Sequence, residues 1–205
     1  MFMVAGDCAA SGKGGRSSLA SRLATRAGGS PTLETPMTIS MHSASVPVFQ
    51  RQLGAMLSWL DKAEAHAAAR KFDTANYLQL RLAPDMLPFV SQIRIASDAA
   101  KGCVARLAGQ ELPKFEDNET SFAELRERVQ KTLAYVESVP AAAFDGSEGR
   151  DITVPMRNRD PLQFTGEVYL RHWALPNFFF HVTMAYALLR HAGVDLGKGD
   201  FLAAA

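Results

Sequence analysis

Residues 169–190 read YLRHWALPNFFFHVTMAYALLR, a stretch dense in aromatic and apolar side chains. Pro176 interrupts it. Proline has no N–H for the intrahelical bond and its ring clashes with the preceding turn, so one helix through this stretch is predicted to bend there. Beyond the bend, Asn177, His181, Met184 and Leu188 recur at three- and four-residue spacing on one face, flanked by Phe178, Ala185 and Leu189. That face turns an imidazole toward core or cavity. His172 lies nine residues before His181, about half a turn out of phase at 3.6 residues per turn, and stays off the face. His191 sits just before the cap at Gly193 and is expected to meet solvent as a partner of the helix dipole.

Upstream, Thr165 is placed to cap this helix. Residues 138–165 carry Pro140, Gly146, Gly149, Pro155 and Pro161, too many breakers for a helix, and so form a long crossover. Within it, Ile152-Thr-Val154 and Leu162-Gln-Phe164 alternate apolar with polar and predict a small hairpin. Three amphipathic helices precede the crossover. The first runs from Ser45, its N-cap, to about Arg70, with Phe49, Leu53, Met56, Leu57, Leu60 and Ala63 as its stripe and Pro47 in the tolerant first turn. His66 in its last turn reads as a solvated dipole partner. After a loop or short turn over 71–82, the second helix is expected to start at Pro84. Its apolar face runs from Phe89 through Gln92, Ala96, Ala99, Cys103 and Leu107, with Arg94, Asp98 and Lys101 on the wet side. Gln92 is polar on an apolar stripe and needs a buried partner. Cys103 reads as core packing.

Gly109 closes the second helix, and FEDNET makes an acidic loop. Ser121-Phe-Ala-Glu124 is a capping box that starts the third helix. Phe122, Leu125, Val129, Leu133 and Val136 form its buried stripe, while Glu124, Arg126, Glu127, Arg128 and Lys131 read as a solvated face. In the closing segment, Phe201 and Leu202 are positioned to dock back on the bundle.

Composition bounds the function. The chain has 205 residues, 47% hydrophobic and 21% charged, enough for one domain with one core. Its 22 Lys and Arg against 21 Asp and Glu leave a net charge of +1, so nucleic acid and anionic membrane are not expected partners. Cys8 and Cys103 make no disulfide framework, which suits the cytoplasm. No run reaches the roughly eighteen apolar residues of a spanning helix. Over 1–36, 17 residues are Gly, Ala or Ser, and the segment reads as a disordered leader to a domain over 37–205. GDCAASGKGG is no P-loop, because five residues rather than four separate Gly6 from Gly12 and Gly14 replaces the magnesium-binding hydroxyl. The leader's basic, Ser-rich character also suits a transit peptide, but Met37 as the true initiator is the simpler account.

Four amphipathic helices with a long connection before the last, together with RLAPDMLPF (81–89), ARLAG (105–109) and LPNFFFHVT (175–183), resemble the DinB/YfiT-like superfamily of bacterial helical bundles. Within it the chain is most similar to a branch known as a domain-of-unknown-function family, over 37–202. The resemblance implies an all-α four-helix bundle and a homodimer that buries outward aromatics such as Phe179 or Phe180. Many superfamily members hold a divalent metal with three histidines, one on the second helix and two spaced four apart on the last. Here His181 matches the second of that pair, Asn177 stands at the first, and Gln92 falls near the second-helix position. Amide oxygens replace imidazole poorly at zinc or nickel, so the full site is missing, no cofactor is expected, and His181 alone would remain for a divalent metal. A hydrogen-bonded cluster of Gln92, Asn177 and His181 is expected instead.

The leading expectation is a small-molecule-binding or non-catalytic bundle with a cavity lined by Gln92, Asn177, Phe178, His181, Asp85 and Tyr186. No catalytic residue is assigned. The alternative that the resemblance implies is a metal-dependent thiol transferase or hydrolase. A stress-linked structural or interaction protein without a pocket is the third.

Overall fold

Four long helical elements close around one core, and their ends are set by local chemistry that can be followed residue by residue. The computed structural model describes residues 39–203. The expectations for the leader over 1–36 and for Met37 as initiator lie outside the described residues. Helix α1 (Val46–Arg70) begins after Ser45. Pro47, in its first turn, has no N–H to offer a capping side chain, and Ser45 Oγ instead donates backward to Met41 O at 2.6 Å. A single turn, α2 (Ala75–Leu78), follows in the connection.

Helix α3 (Phe89–Ala108) starts later than Pro84. Pro88 holds the N-cap position in extended geometry and disfavours the helical conformation for Leu87, so the helix cannot run back through it. The far end closes at Gly109, whose φ of +65° lies in the left-handed region. Helix α4 (Phe122–Ser138) has the predicted capping box: Glu124 N–H donates to Ser121 Oγ at 3.2 Å, and Ser121 N–H donates to Glu124 Oε2 at 3.0 Å.

The crossover makes two 3₁₀ turns, Ala141–Phe144 and Ser147–Gly149, and then the predicted hairpin. Strand β1 (Asp151–Val154) pairs antiparallel with β2 (Leu162–Thr165), placing Ile152 opposite Phe164. The last element is composite. It comprises α5 (Gly166–Tyr169), a π-helical turn over Leu170–Ala174, and α6 (Leu175–His191). A Cβ on Gly166 would fall 1.8 Å from Ser147 O, so only glycine lets this helix start against the crossover. Thr165 stands at the N-cap but makes no side-chain cap bond. The π turn changes the reading of Pro176. Leu175 N–H donates to Leu170 O, a five-residue bond, and the proline falls in the first turn of α6 where its missing N–H costs little.

Helix α3 packs on α6 and α4, and α1 packs on α4 and α6. Phe49, Leu53, Met56 and Leu60 of α1 meet Phe89 and Ile93 of α3, Leu125 and Val129 of α4, and Phe178 and Val182 of α6 in one core. Cys103 is fully buried there, and burial pushes its thiol pKa up. The buried face of α6 centres on Phe178, Val182 and Ala185, which puts His181 at its edge and Asn177 half-buried beyond it. The final turn α7 (Lys198–Phe201) docks as expected, with Phe201 stacked on Trp59 at 5.8 Å between ring centroids and Trp59 Nε1 donating to Asp200 O at 3.1 Å. Leu202 stays half in solvent.

Two cations expected on wet faces are buried: Lys101 is 4% exposed and Arg128 is 3%. The loop over 110–121 folds back across them. Lys101 Nζ donates to Pro113 O at 2.8 Å, and Arg128 reaches Glu119 Oε1 at 2.7 Å, Asp98 Oδ1 at 2.8 Å and Glu116 O at 3.0 Å. Among the described residues no helix is long and apolar enough to cross a membrane.

Candidate site on the seam between α3 and α6

The antiparallel packing of α3 against α6 brings Gln92 and His181 together across the core. His181 Nδ1 lies 2.8 Å from Gln92 Oε1, and Gln92 Nε2 donates to Leu87 O at 2.9 Å. The second bond fixes the first. Flipping the Gln92 amide would set its oxygen against a carbonyl, so Oε1 faces the ring and His181 Nδ1 must be the donor. Nε2 of His181 then carries the lone pair. The residue is 8% exposed, and burial lowers its pKa below the ordinary histidine value, which keeps the ring neutral at neutral pH. A neutral imidazole with one nitrogen anchored and the other a bare acceptor can take a hydrogen bond or a proton from a bound molecule.

The expected cluster of three is a pair. Asn177 makes no hydrogen bond to Gln92 or His181 among the described residues; it stands one helical turn along α6, in the wall of a cleft of about 220 Å³. The reason lies in the phase of α6: Phe178 takes the core-facing position and packs edge-on to Phe49 at 4.9 Å between centroids. The remaining members of the expected lining scatter. Asp85 is exposed in the turn before α3, and Tyr186 packs against Trp59 and Phe201 with its hydroxyl donating to Leu196 O at 3.5 Å. His172 and His191 are exposed. His66 is not simply solvated: its Nδ1 lies 2.6 Å from the hydroxyl of buried Tyr77.

The cleft beside Asn177 includes residues that the sequence reading passed over. Arg106 and Tyr169 line it, with Arg106 Nη1 donating to Tyr169 Oη at 3.2 Å, and Trp173 forms part of the same wall. Their separation in sequence, 63 residues from Arg106 to Tyr169, hides the pairing. The available signal was Gly102, one turn before Arg106 within a helix, where a side chain would occupy the guanidinium's space.

The geometry does not fit a three-histidine metal centre. Gln92 spends its oxygen on His181 and its nitrogen on Leu87, Asn177 is turned to another wall, and amides are weak ligands for zinc or nickel. Among the described residues no group of three or more His, Cys, Asp or Glu side chains is placed to hold an ion.

The family described as Domain of unknown function (DUF1993) matches residues 41–202. The chain belongs to that family. This DUF1993 chain is also similar to a solved structure, a DinB family member protein from Shewanella denitrificans, at 40% sequence identity and a TM-score of 0.74, covering 80% of this chain and 92% of that chain. No curated protein matches. The DUF1993 match spans all four long helical elements and both members of the Gln92–His181 pair, so family and architecture agree.

Proposed function

We propose that this DUF1993 bundle is a cytoplasmic, non-catalytic protein that binds a small molecule at the α3–α6 seam and works without a three-histidine metal centre. The observation that carries the reading is the 2.8 Å contact between His181 and Gln92, which buries a neutral ring and leaves its Nε2 as an unused acceptor. That nitrogen is not among the buried atoms without a partner, so it opens outward, and an imidazole anchored on one side with its acceptor accessible suits a site completed by a ligand. A homodimer belongs to the same proposal, because Phe180 stands 53% exposed next to His181, their rings edge-on at 5.2 Å.

Protein purified without chelator or affinity histidines tests this by elemental analysis and native mass spectrometry. The expected result is no stoichiometric metal and a copurifying small molecule that is lost from His181→Ala. One equivalent of a divalent metal, also lost from His181→Ala, would overturn the reading in favour of a metal-dependent thiol transferase or hydrolase. The same spectra read the dimer.

A further inference from the structure

The cleft beside Asn177 contains a cation that no anion among the described residues neutralises. Arg106 lies half-buried in its wall. Its hydrogen bonds both leave Nη1, to Gly102 O at 3.2 Å and Tyr169 Oη at 3.2 Å, and none of the ion pairs among the described residues includes it. Asp98 shares the wall, but its Oδ1 is held by Lys101 at 2.9 Å and Arg128 at 2.8 Å. A partly desolvated charge without a partner is costly, and the cost falls when an anion arrives.

The guanidinium is also held in place. A Cβ on residue 102 would lie 2.7 Å from Arg106 Nη1, so glycine there makes the space that the group occupies. Tyr169 accepts from Arg106, which leaves its own proton free to donate, and burial pushes its pKa up to about 12, so the proton stays on at neutral pH. A planar guanidinium beside a hydroxyl donor matches a carboxylate, which takes two parallel bonds from arginine. Apart from Asp98 and Asn177, the rest of the wall is apolar and includes Trp173, Met156 and Ile95. At about 220 Å³ the cleft is below the roughly 300–1,000 Å³ of ordinary ligand pockets, which restricts the occupant to a small molecule.

The geometry points to a small monocarboxylate with a flat apolar body as the ligand class, its carboxylate on Arg106 and Tyr169 and its body against Trp173. This inference rests on the reading of the α3–α6 seam as a small-molecule site and assigns ligand chemistry to the Asn177 end of that seam, a cleft whose lining does not include Gln92 or His181. Asn177 faces the same space and positions the body of the ligand through its amide.

Trp173 makes the test direct, because its fluorescence reports on the cleft while the other tryptophan, Trp59, is buried in the core. Benzoate and its neutral isostere benzamide are titrated into the full-length protein at pH 7. Benzoate is expected to change the emission saturably, with benzamide weaker by at least about tenfold, the discrimination that charge-assisted hydrogen bonds supply. Arg106→Gln should lose the same factor. Tyr169→Phe, which keeps the packing ring and removes only the hydroxyl, should lose several-fold and covers the case in which Arg106→Gln fails to fold. Equal binding of benzamide, or benzoate affinity unchanged in Arg106→Gln, overturns the carboxylate assignment and leaves the small-molecule reading standing. No saturable response to benzoate also overturns the assignment. A stoichiometric metal removes the reading beneath it.

Discussion

Helix α3 buries polar groups on two of its flanks, and the two differ in what they leave unused. Toward α4, Arg94, Glu119 and Arg128 form a charged network: Arg94 Nε reaches Glu119 Oε2 at 2.6 Å while Arg128 Nη1 reaches Glu119 Oε1 at 2.7 Å. Both carboxylate oxygens of Glu119 are taken, and Arg128 adds Asp98, Asp117 and the carbonyl of Glu116. Toward α6, Gln92 and His181 form a neutral pair with one ring nitrogen to spare. The charged network ties the loop over 110–121 to two helices and leaves the Glu119 carboxylate no free oxygen for a ligand. The neutral pair is cheaper to bury and keeps a free acceptor. The charged network leaves one enclosed donor, Arg128 Nε, without a partner, whereas the acceptor left by the neutral pair is not enclosed, so only the second is open to a ligand.

The comparison can be broken by substitution. The largest effect is expected from Arg128→Ala, which unpairs Glu119 Oε1 while Arg94 keeps Oε2 and should cost about 3–5 kcal/mol in urea unfolding, as for other one-sided losses of a buried ion pair. A cost below about 1 kcal/mol, the range of surface pairs, would show that the network is not structural. Gln92→Leu keeps the volume but leaves His181 Nδ1–H unpaired, and about 1–3 kcal/mol is expected from the same measurement. If Gln92→Leu costs as much as Arg128→Ala, the distinction between scaffold and site fails.

Acid should separate the two regions as well. The folded pKa of His181 is depressed, so its contribution is fully present above the unfolded value of about 6.5 and is lost as pH falls from there toward the folded pKa. Burial alone would raise the Glu119 pKa, but hydrogen bonds from Arg128 and Arg94 outweigh it and hold the carboxyl below its usual range. Its contribution is present above the unfolded value of about 4.3 and is lost at lower pH still. Urea midpoints between pH 8 and 5 should fall slightly in the native chain and become flatter in His181→Gln. The loss below pH 4.5 should be shallower in Glu119→Gln.

Much of the bundle was legible because its signals are local. The α1 stripe, the Ser121–Glu124 capping box, the closure at Gly109 and the 152–154 and 162–164 alternation each depend on neighbours within a few residues. Gln92 as a polar residue needing a buried partner was legible for the same reason, and His181 answers it. Arg128 and Lys101 were misread because a charge in a helical pattern looks wet until a loop from elsewhere covers it. The start of α3 was placed early because Pro84 and Pro88 give the same signal, and only the second cannot be followed backward. Arg106 and Tyr169 meet across the fold, and no periodicity links them.

The five-residue turn at Leu170–Ala174 works as a dial between the two halves of the last helical element. Each residue rotates an α-helix by about 100°, and the added residue resets the angular zero from which α6 is read. A helical wheel drawn at one period through 166–191 therefore assigns wrong bearings to everything on one side of the dial. Here the setting brings Tyr169 and Trp173, before or within the turn, into the same cleft as Asn177 beyond it.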